Sequence, residues 1–284
     1  MGRALVARLR ADGVRVLATA RTYDAHAQVS ALDAEPLHTD LANLGEWRAE
    51  TADAEVVFHL ALPPLRPPLR RRAARRRASA AAEGARAVAD LAAGRPVVML
   101  STAFAYGDRR TPAVDHDAAA GGPPALAAAA LAAEEVLAPA ARVVRVPWVY
   151  GSSGLVHDVV TGLRMRRHRT VGPGDNAWAL LSAEDAAAAL MAAVELPPGV
   201  YSAAEEDVPT QDAVVAAVCA AIGAPRPDHV PPRFAAVLMG GAMSEALALS
   251  LDVRTGRLGG SGWAPRDDWR EDIVSRRAAD PPGR

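Results

Sequence analysis

Lysine is absent from this chain: all 32 basic residues among its 284 are arginine, set against 33 carboxylates. A guanidinium stays protonated across the working range of an enzyme, so lysine-assisted proton transfer is excluded at the outset. Cysteine is nearly as scarce. Cys219 stands alone in a helical run from Ala213 to Ile222, which excludes a disulfide framework and a cysteine-rich metal site and reads as core packing. No run of about 18 uncharged apolar residues occurs, so no membrane-spanning segment is expected. The N-terminus has none of the basic, apolar and small-residue order of a secretory leader, and a cytoplasmic location is expected. The seven histidines lack ligand spacing and no serine sits in a GxSxG turn, so the expectation is no metal site and no serine nucleophile. No internal repeat is visible.

What is present is a long alternation of strand-like and helix-like runs. Half of the residues are hydrophobic and the net charge is −1, enough to bury one large core or two interleaved ones. Strands are predicted at Val14–Ala20, Ala34–His38, Val56–Leu60, Val97–Leu100, Val143–Val146 and Val200–Ala203. Helices are predicted at about Trp47–Ala52, Ala73–Ala93 and Ala125–Leu137. This order is the signature of a mostly parallel sheet covered on both faces. After Tyr150 the pattern loosens, and Gly151–Asn176 and Glu205–Pro265 mix prolines and glycines with shorter helices. Residues 1–150, with the strand near 200, therefore read as one domain and 151–284 mainly as a smaller, interleaved lobe.

The first twenty residues refine this. Leu5, Val6 and Leu9 have helical spacing, Asp12-Gly13 ends the helix, and Val14 to Ala20 is a continuous buried-strand run. In a dinucleotide-binding unit a strand precedes such a helix and feeds a glycine-rich turn whose amides hold a pyrophosphate. Here only the last glycine of that turn, Gly2, is present. The expectation is a Rossmann-like doubly wound parallel sheet of the α/β class, its first strand missing, with a small C-terminal substrate lobe. The start methionine itself is open to question on this reading.

Three strand-end segments carry a resemblance. Val56-Val-Phe-His-Leu-Ala-Leu62, Val97-Val-Met-Leu-Ser-Thr-Ala-Phe-Ala-Tyr-Gly107 and Arg142-Val-Val-Arg-Val-Pro-Trp-Val-Tyr-Gly151 are similar, in order and spacing, to signatures of the extended short-chain dehydrogenases/reductases, the NAD-dependent epimerase/dehydratase family. The likeness continues through Ser182–Leu190, Gly199–Ser202 and Gly262–Pro265. It implies a cofactor held by Gly2 at the pyrophosphate, Ala20 and Arg21 at the ribose, Asp40 and Leu41 at the adenine, and Leu60, Ala61, Leu62 and Pro147 along its middle. An acidic residue at the ribose position would repel a 2′-phosphate, whereas Ala20 followed by Arg21 removes that repulsion and offers a guanidinium fork. NADP is thus preferred over NAD, with a solvated strand-end arginine as the plainer reading. Asp40 equally suits a turn cap.

The catalytic positions depart from the family's pattern. Members use a tyrosine and, four residues later, a lysine; the matching segment Pro124–Glu135 puts Leu126 and Ala130 there. Thr102 remains at the serine/threonine position, where a hydroxyl bonds the reacting oxygen, although a threonine there also suits a turn. Tyr106 and Tyr150 are alternative donors that equally suit packing. His59 reads as a structural strand-end histidine, and His116, beside Asp115, has no defined partner.

The arginine-rich stretch Pro63–Arg77 reads as a solvated loop and helix face or as a site for an acidic or phosphorylated substrate; neutrality and the lack of interleaved aromatics argue against nucleic acid. Three classes stay open: an NAD(P)-dependent oxidoreductase or epimerase acting on a small, sugar-like molecule; a non-catalytic dinucleotide-sensing or protein-binding relative; and a degenerate copy without cofactor. A homodimer is compatible with each.

Overall fold

The computed structural model describes residues 1–39, 43–63, 70–115, 122–151 and 155–273. Helix α1 (Gly2–Ala11) buries Leu5 and is closed by Asp12 and Gly13, the latter at φ 76, as the sequence predicts. The strand that follows is shorter than its apolar run: β1 spans only Leu17–Thr19, and Val14 is 44 % exposed. Helix α2 (Tyr23–Ser30) is capped by the Thr22 hydroxyl, which accepts from the Ala25 amide at 3.2 Å. It leads to β2 (Glu35–Leu37), which pairs with β1 in parallel. A helix expected over 47–52 is instead one 3-10 turn, Leu44–Trp47, after which the Thr51 hydroxyl donates to the Trp47 carbonyl at 2.7 Å and tightens the chain into turns.

The principal sheet is assembled from β3 (Val57–His59), β4 (Val97–Thr102), β6 (Ala141–Val146) and β10 (Gly199–Ser202), all parallel in the order β10-β6-β4-β3. Helices α3 (Arg71–Ala92) and α4 (Ala128–Leu137) cover one face; their alanines at 81, 85, 129 and 133 pack beside Val97, Met99 and Val143. The short side chains draw helices and sheet together. The other face is covered by α1 and α6 (Ala183–Ala192), where Leu5, Ala186 and Leu190 meet Val98, Val144 and Val146. Helices on both faces make the fold doubly wound. Among the described residues β1 pairs only with β2 and β3 only with β4, so the two sheets are not joined.

Outside this sheet the remaining strands pair two by two. β5 (Arg109–Ala113) pairs with β12 (Leu251–Val253), and β7 (Trp148–Tyr150) pairs with β9 (Leu180–Ser182). Helices α5 (Leu155–Arg164) and α7 (Gln211–Ile222) pack around Tyr150, Trp178, Leu180 and Trp269, with Cys219 buried among them. The short strands β8 (Thr170–Val171) and β11 (His229–Val230) pair beside the helices α8 (Pro232–Met239) and α9 (Gly241–Ala248). β5, from before residue 150, thus pairs with a strand from after residue 250.

Candidate active site

In an open parallel sheet, ligands meet the carboxyl ends of the strands. Thr102 ends β4 opposite Val146 of β6. Its half-buried hydroxyl caps the following 3-10 turn by accepting from the Phe104 amide at 3.3 Å, which leaves its own hydrogen available to donate. The residues after it enter an apolar cluster. Phe104 meets Trp148 edge-on with ring centroids 4.6 Å apart, and Leu126 and Leu131 join the same cluster. Leu126 sits half-buried on the 3-10 turn Ala125–Ala127, and Ala130 is buried in the first turn of α4. Neither can carry a proton.

Beneath the strand ends lies a dense polar network. Ser101 donates to Glu134, whose carboxylate forms a two-pronged pair with Arg145 at 3.1 and 2.7 Å. The Arg145 guanidinium lies 5.0 Å over the Tyr106 ring. Tyr106 is fully buried, and its hydroxyl donates to the Asp115 carbonyl at 2.8 Å; burial pushes its pKa up to about 12. Asp115, in a left-handed conformation at φ 41, accepts from the Ser202 amide and hydroxyl at 2.9 and 3.2 Å and from the Arg257 amide at 2.7 Å. Its carboxylate thereby ties the end of β10 to the segment after β12. His116 lies outside the described residues.

Tyr150 ends β7 fully buried against Glu205, and burial and that carboxyl raise its pKa. Burial pushes the carboxyl of Glu205 up to about 7, a value that nothing in the run Glu205-Glu206-Asp207 signals in advance. His59 is buried at the end of β3 and burial holds it down to about 4, so it is a neutral structural histidine at neutral pH.

On the dinucleotide side, α1 begins with no side-chain cap and no acidic residue in its first turn, and a Cβ at Gly2 would meet nothing within 4 Å. The free amides of this helix start suit a diphosphate, although burial lowers the pKa of the Met1 amine and the Glu184 carboxylate of α6 acts on it. Ala20 is fully buried beyond β1, its amide bonded to the Leu37 carbonyl at 2.8 Å, and Arg21 follows it into solvent. Leu60 is half-buried, Ala61 and Leu62 are exposed beyond β3, and Pro147 is buried between β6 and β7. Asp40 and Leu41 lie outside the described residues. So do residues 64–69 of the arginine-rich stretch; of its remainder, Arg72, Arg75 and Arg76 are exposed on α3, while Arg77 turns back to donate to the Pro63 carbonyl at 2.8 and 3.2 Å. Among the described residues no group of three metal-ligating side chains forms, and no helix is long and apolar enough to cross a membrane.

The fold recurs in solved structures. Human epimerase family protein SDR39U1 with NADPH is 17% identical, with a TM-score of 0.79 over 98% of this chain and 96% of that one. UDP-glucose 4-epimerase from Thermotoga maritima with UDP-glucose is 15% identical, with a TM-score of 0.74 over 98% and 96%. The Bordetella bronchiseptica enzyme WbmG in complex with NAD and UDP is 17% identical, with a TM-score of 0.72 over 98% and 89%. No curated protein matches in sequence. The model of the NAD dependent epimerase/dehydratase family matches residues 1–204, and the chain belongs to that family.

Proposed function

We propose that this chain binds NADP(H) along the carboxyl edge of its sheet and carries out hydride transfer on a small, sugar-like substrate. The observation that carries the reading is Thr102, a half-buried hydroxyl at the end of a central strand, oriented by the Phe104 amide and free to donate. Gly2 and the start of α1 would hold the diphosphate, Ala20 and Arg21 the ribose side, Asp40 and Leu41 the adenine, and Leu60, Ala61, Leu62 and Pro147 the stretch leading toward Thr102. The Arg21 guanidinium favours a 2′-phosphate. Bound there, the dinucleotide supplies or accepts the hydride. The NADPH, NAD, UDP and UDP-glucose named with the similar structures support this class of ligand.

Thr102 donates a hydrogen bond to the reacting oxygen and is too weak an acid to surrender its proton. Leu126 and Ala130 cannot supply one, so the proton that balances the hydride comes from water. Tyr106, its hydroxyl already bonded to Asp115, acts as a positioning residue. Tyr150, which burial keeps protonated, is a poor donor, and the alternative to water is its neighbour Glu205, whose carboxyl at about 7 exchanges protons near neutrality. A second reading, a dinucleotide-sensing protein without turnover, is favoured by the apolar pair Leu126 and Ala130. Titration with NADPH and NADH, followed by turnover with carbonyl sugars, separates the two. Binding with turnover supports the enzyme, binding without turnover supports the sensor, and no binding overturns both.

A further inference from the structure

We propose that the small lobe carries a second anion site, for a phosphate- or carboxylate-bearing small molecule, in the cavity between the end of α5 and the segment after α7. The cavity has a volume of about 140 Å³ and is lined by Arg166, His168, Arg169, Arg226 and Asp228 over an apolar base that includes Leu163. Three guanidiniums thus face one carboxylate. Their existing partners leave the excess positive charge in place. Arg226 is paired with Asp212 at 3.1 Å, whereas among the described residues Arg169 donates to the backbone carbonyls of His168 and Arg166, at 2.7 and 3.2 Å, and to no carboxylate. Among the described residues Arg166 has no carboxylate within ion-pair distance. A planar guanidinium fork matches the oxygens of a phosphate or carboxylate.

The walls are built before any ligand arrives. Arg166 is held in the left-handed region at φ 55, and the turn around it is closed by Arg167 and His168 amides donating to the Gly162 carbonyl at 2.8 and 3.0 Å. The fit at Gly162 is close: a Cβ there would lie 3.2 Å from the His168 Cβ. Pro225 and Pro227 stiffen the facing wall. His168 in the near wall is kept neutral by burial and by Arg169, and its Nε2 has no partner among the described residues. These turns fix the backbone of the wall, while the exposed Arg166 and Arg226 side chains, the latter 63% exposed, reach the cavity from the surface. The cavity lies at the end of α5 opposite its start after Tyr150, about 15 Å along the helix axis. It is separate from the strand-end site and does not depend on the reading of Thr102.

The test uses the full chain and inorganic phosphate at constant ionic strength set with sodium chloride, read by calorimetric titration and by the thermal midpoint. Acetate in a parallel arm distinguishes a carboxylate preference from a phosphate preference. Saturable binding is expected in the wild type, weakened at least about tenfold in the Arg166→Gln/Arg169→Gln double variant. Arg86→Gln, an exposed substitution on α3, should leave binding unchanged, and Asp228→Asn should tighten it by removing the opposing charge. Absence of saturable binding of either anion, or equal binding by wild type and double variant, overturns the proposal.

Discussion

The two layers at the carboxyl end of the sheet are built on opposite principles. Below, Ser101, Glu134, Arg145, Tyr106, Asp115 and Ser202 form a continuous polar chain with nearly every group partnered. Above, where a substrate would meet the sheet, Thr102 is bonded only to the Phe104 amide among the described contacts, and the chain that follows it enters the apolar cluster of Phe104, Trp148, Leu126 and Leu131. The polar chemistry of this chain is concentrated on holding strands, lobe and loops in register, and little is left for moving protons. Charge buried without its partner is costly, so the lower layer should govern stability. The upper layer should govern only what is bound and turned over.

Breaking the lower layer should give the largest effect. Glu134→Gln leaves Arg145, only 13% exposed in its side chain, without its counter-charge and should cost about 3–5 kcal/mol in urea unfolding. The Glu134→Leu/Arg145→Met double variant should lose much less, because the remaining charge goes as well. Equal losses would show that the pair matters only through its packing. In the upper layer, Arg21→Ala should weaken NADPH binding by about 1.5–3 kcal/mol, the range of a charged hydrogen bond, and leave NADH unchanged. Equal effects on both cofactors would remove the 2′-phosphate assignment.

The pH dependence separates the lobe from the sheet. Glu205 titrates at about 7 in the folded chain against an ordinary value of 4.5, so its contribution is present below the ordinary value and is lost as pH rises toward about 7. His59 and His168, both held down to about 4, act in the other direction: stability falls as pH drops from 6.5 toward 4. Subtracting the thermal profile of Glu205→Gln from that of the wild type isolates the carboxyl. The wild type should lose stability relative to the variant between about pH 5 and 7. A flat difference would mean that Glu205 is not desolvated in solution. The smallest effect belongs to Leu126→Met, a volume-conserving change that should shift stability by less than about 1.5 kcal/mol and leave the chemical step alone. A large loss of turnover would give Leu126 a direct role.

Much of this arrangement was legible in the sequence, and its gaps have physical causes. The apolar runs at 97–100 and 143–146 announced β4 and β6 because strands buried on both faces need continuous hydrophobicity. The run at 14–20 promised more strand than forms, since β1 pairs along one edge only. Helix α2 gave no signal because it buries no residue, and only the Thr22 cap marks it. Asp115 was noticed solely as a neighbour of His116: its partners Ser202 and Arg257 lie 87 and 142 residues away, beyond any local pattern. Glu205 stands in the acidic run Glu205-Glu206-Asp207, and only the fold buries it beside Tyr150 and the backbone of Trp269. That Thr102 ends β4 and that Leu126 and Ala130 stand at the start of α4 was legible because the apolar and alanine-rich runs around them set the ends of those elements.

The central claim, that hydride transfer here rests on the Thr102 hydroxyl without a tyrosine and lysine pair, is tested most directly by NADPH turnover with a carbonyl sugar in the wild type and in Thr102→Val, which keeps the shape and deletes the hydroxyl. The account predicts a loss on the order of a hundredfold in kcat with NADPH affinity unchanged. Equal turnover by the two proteins would contradict it.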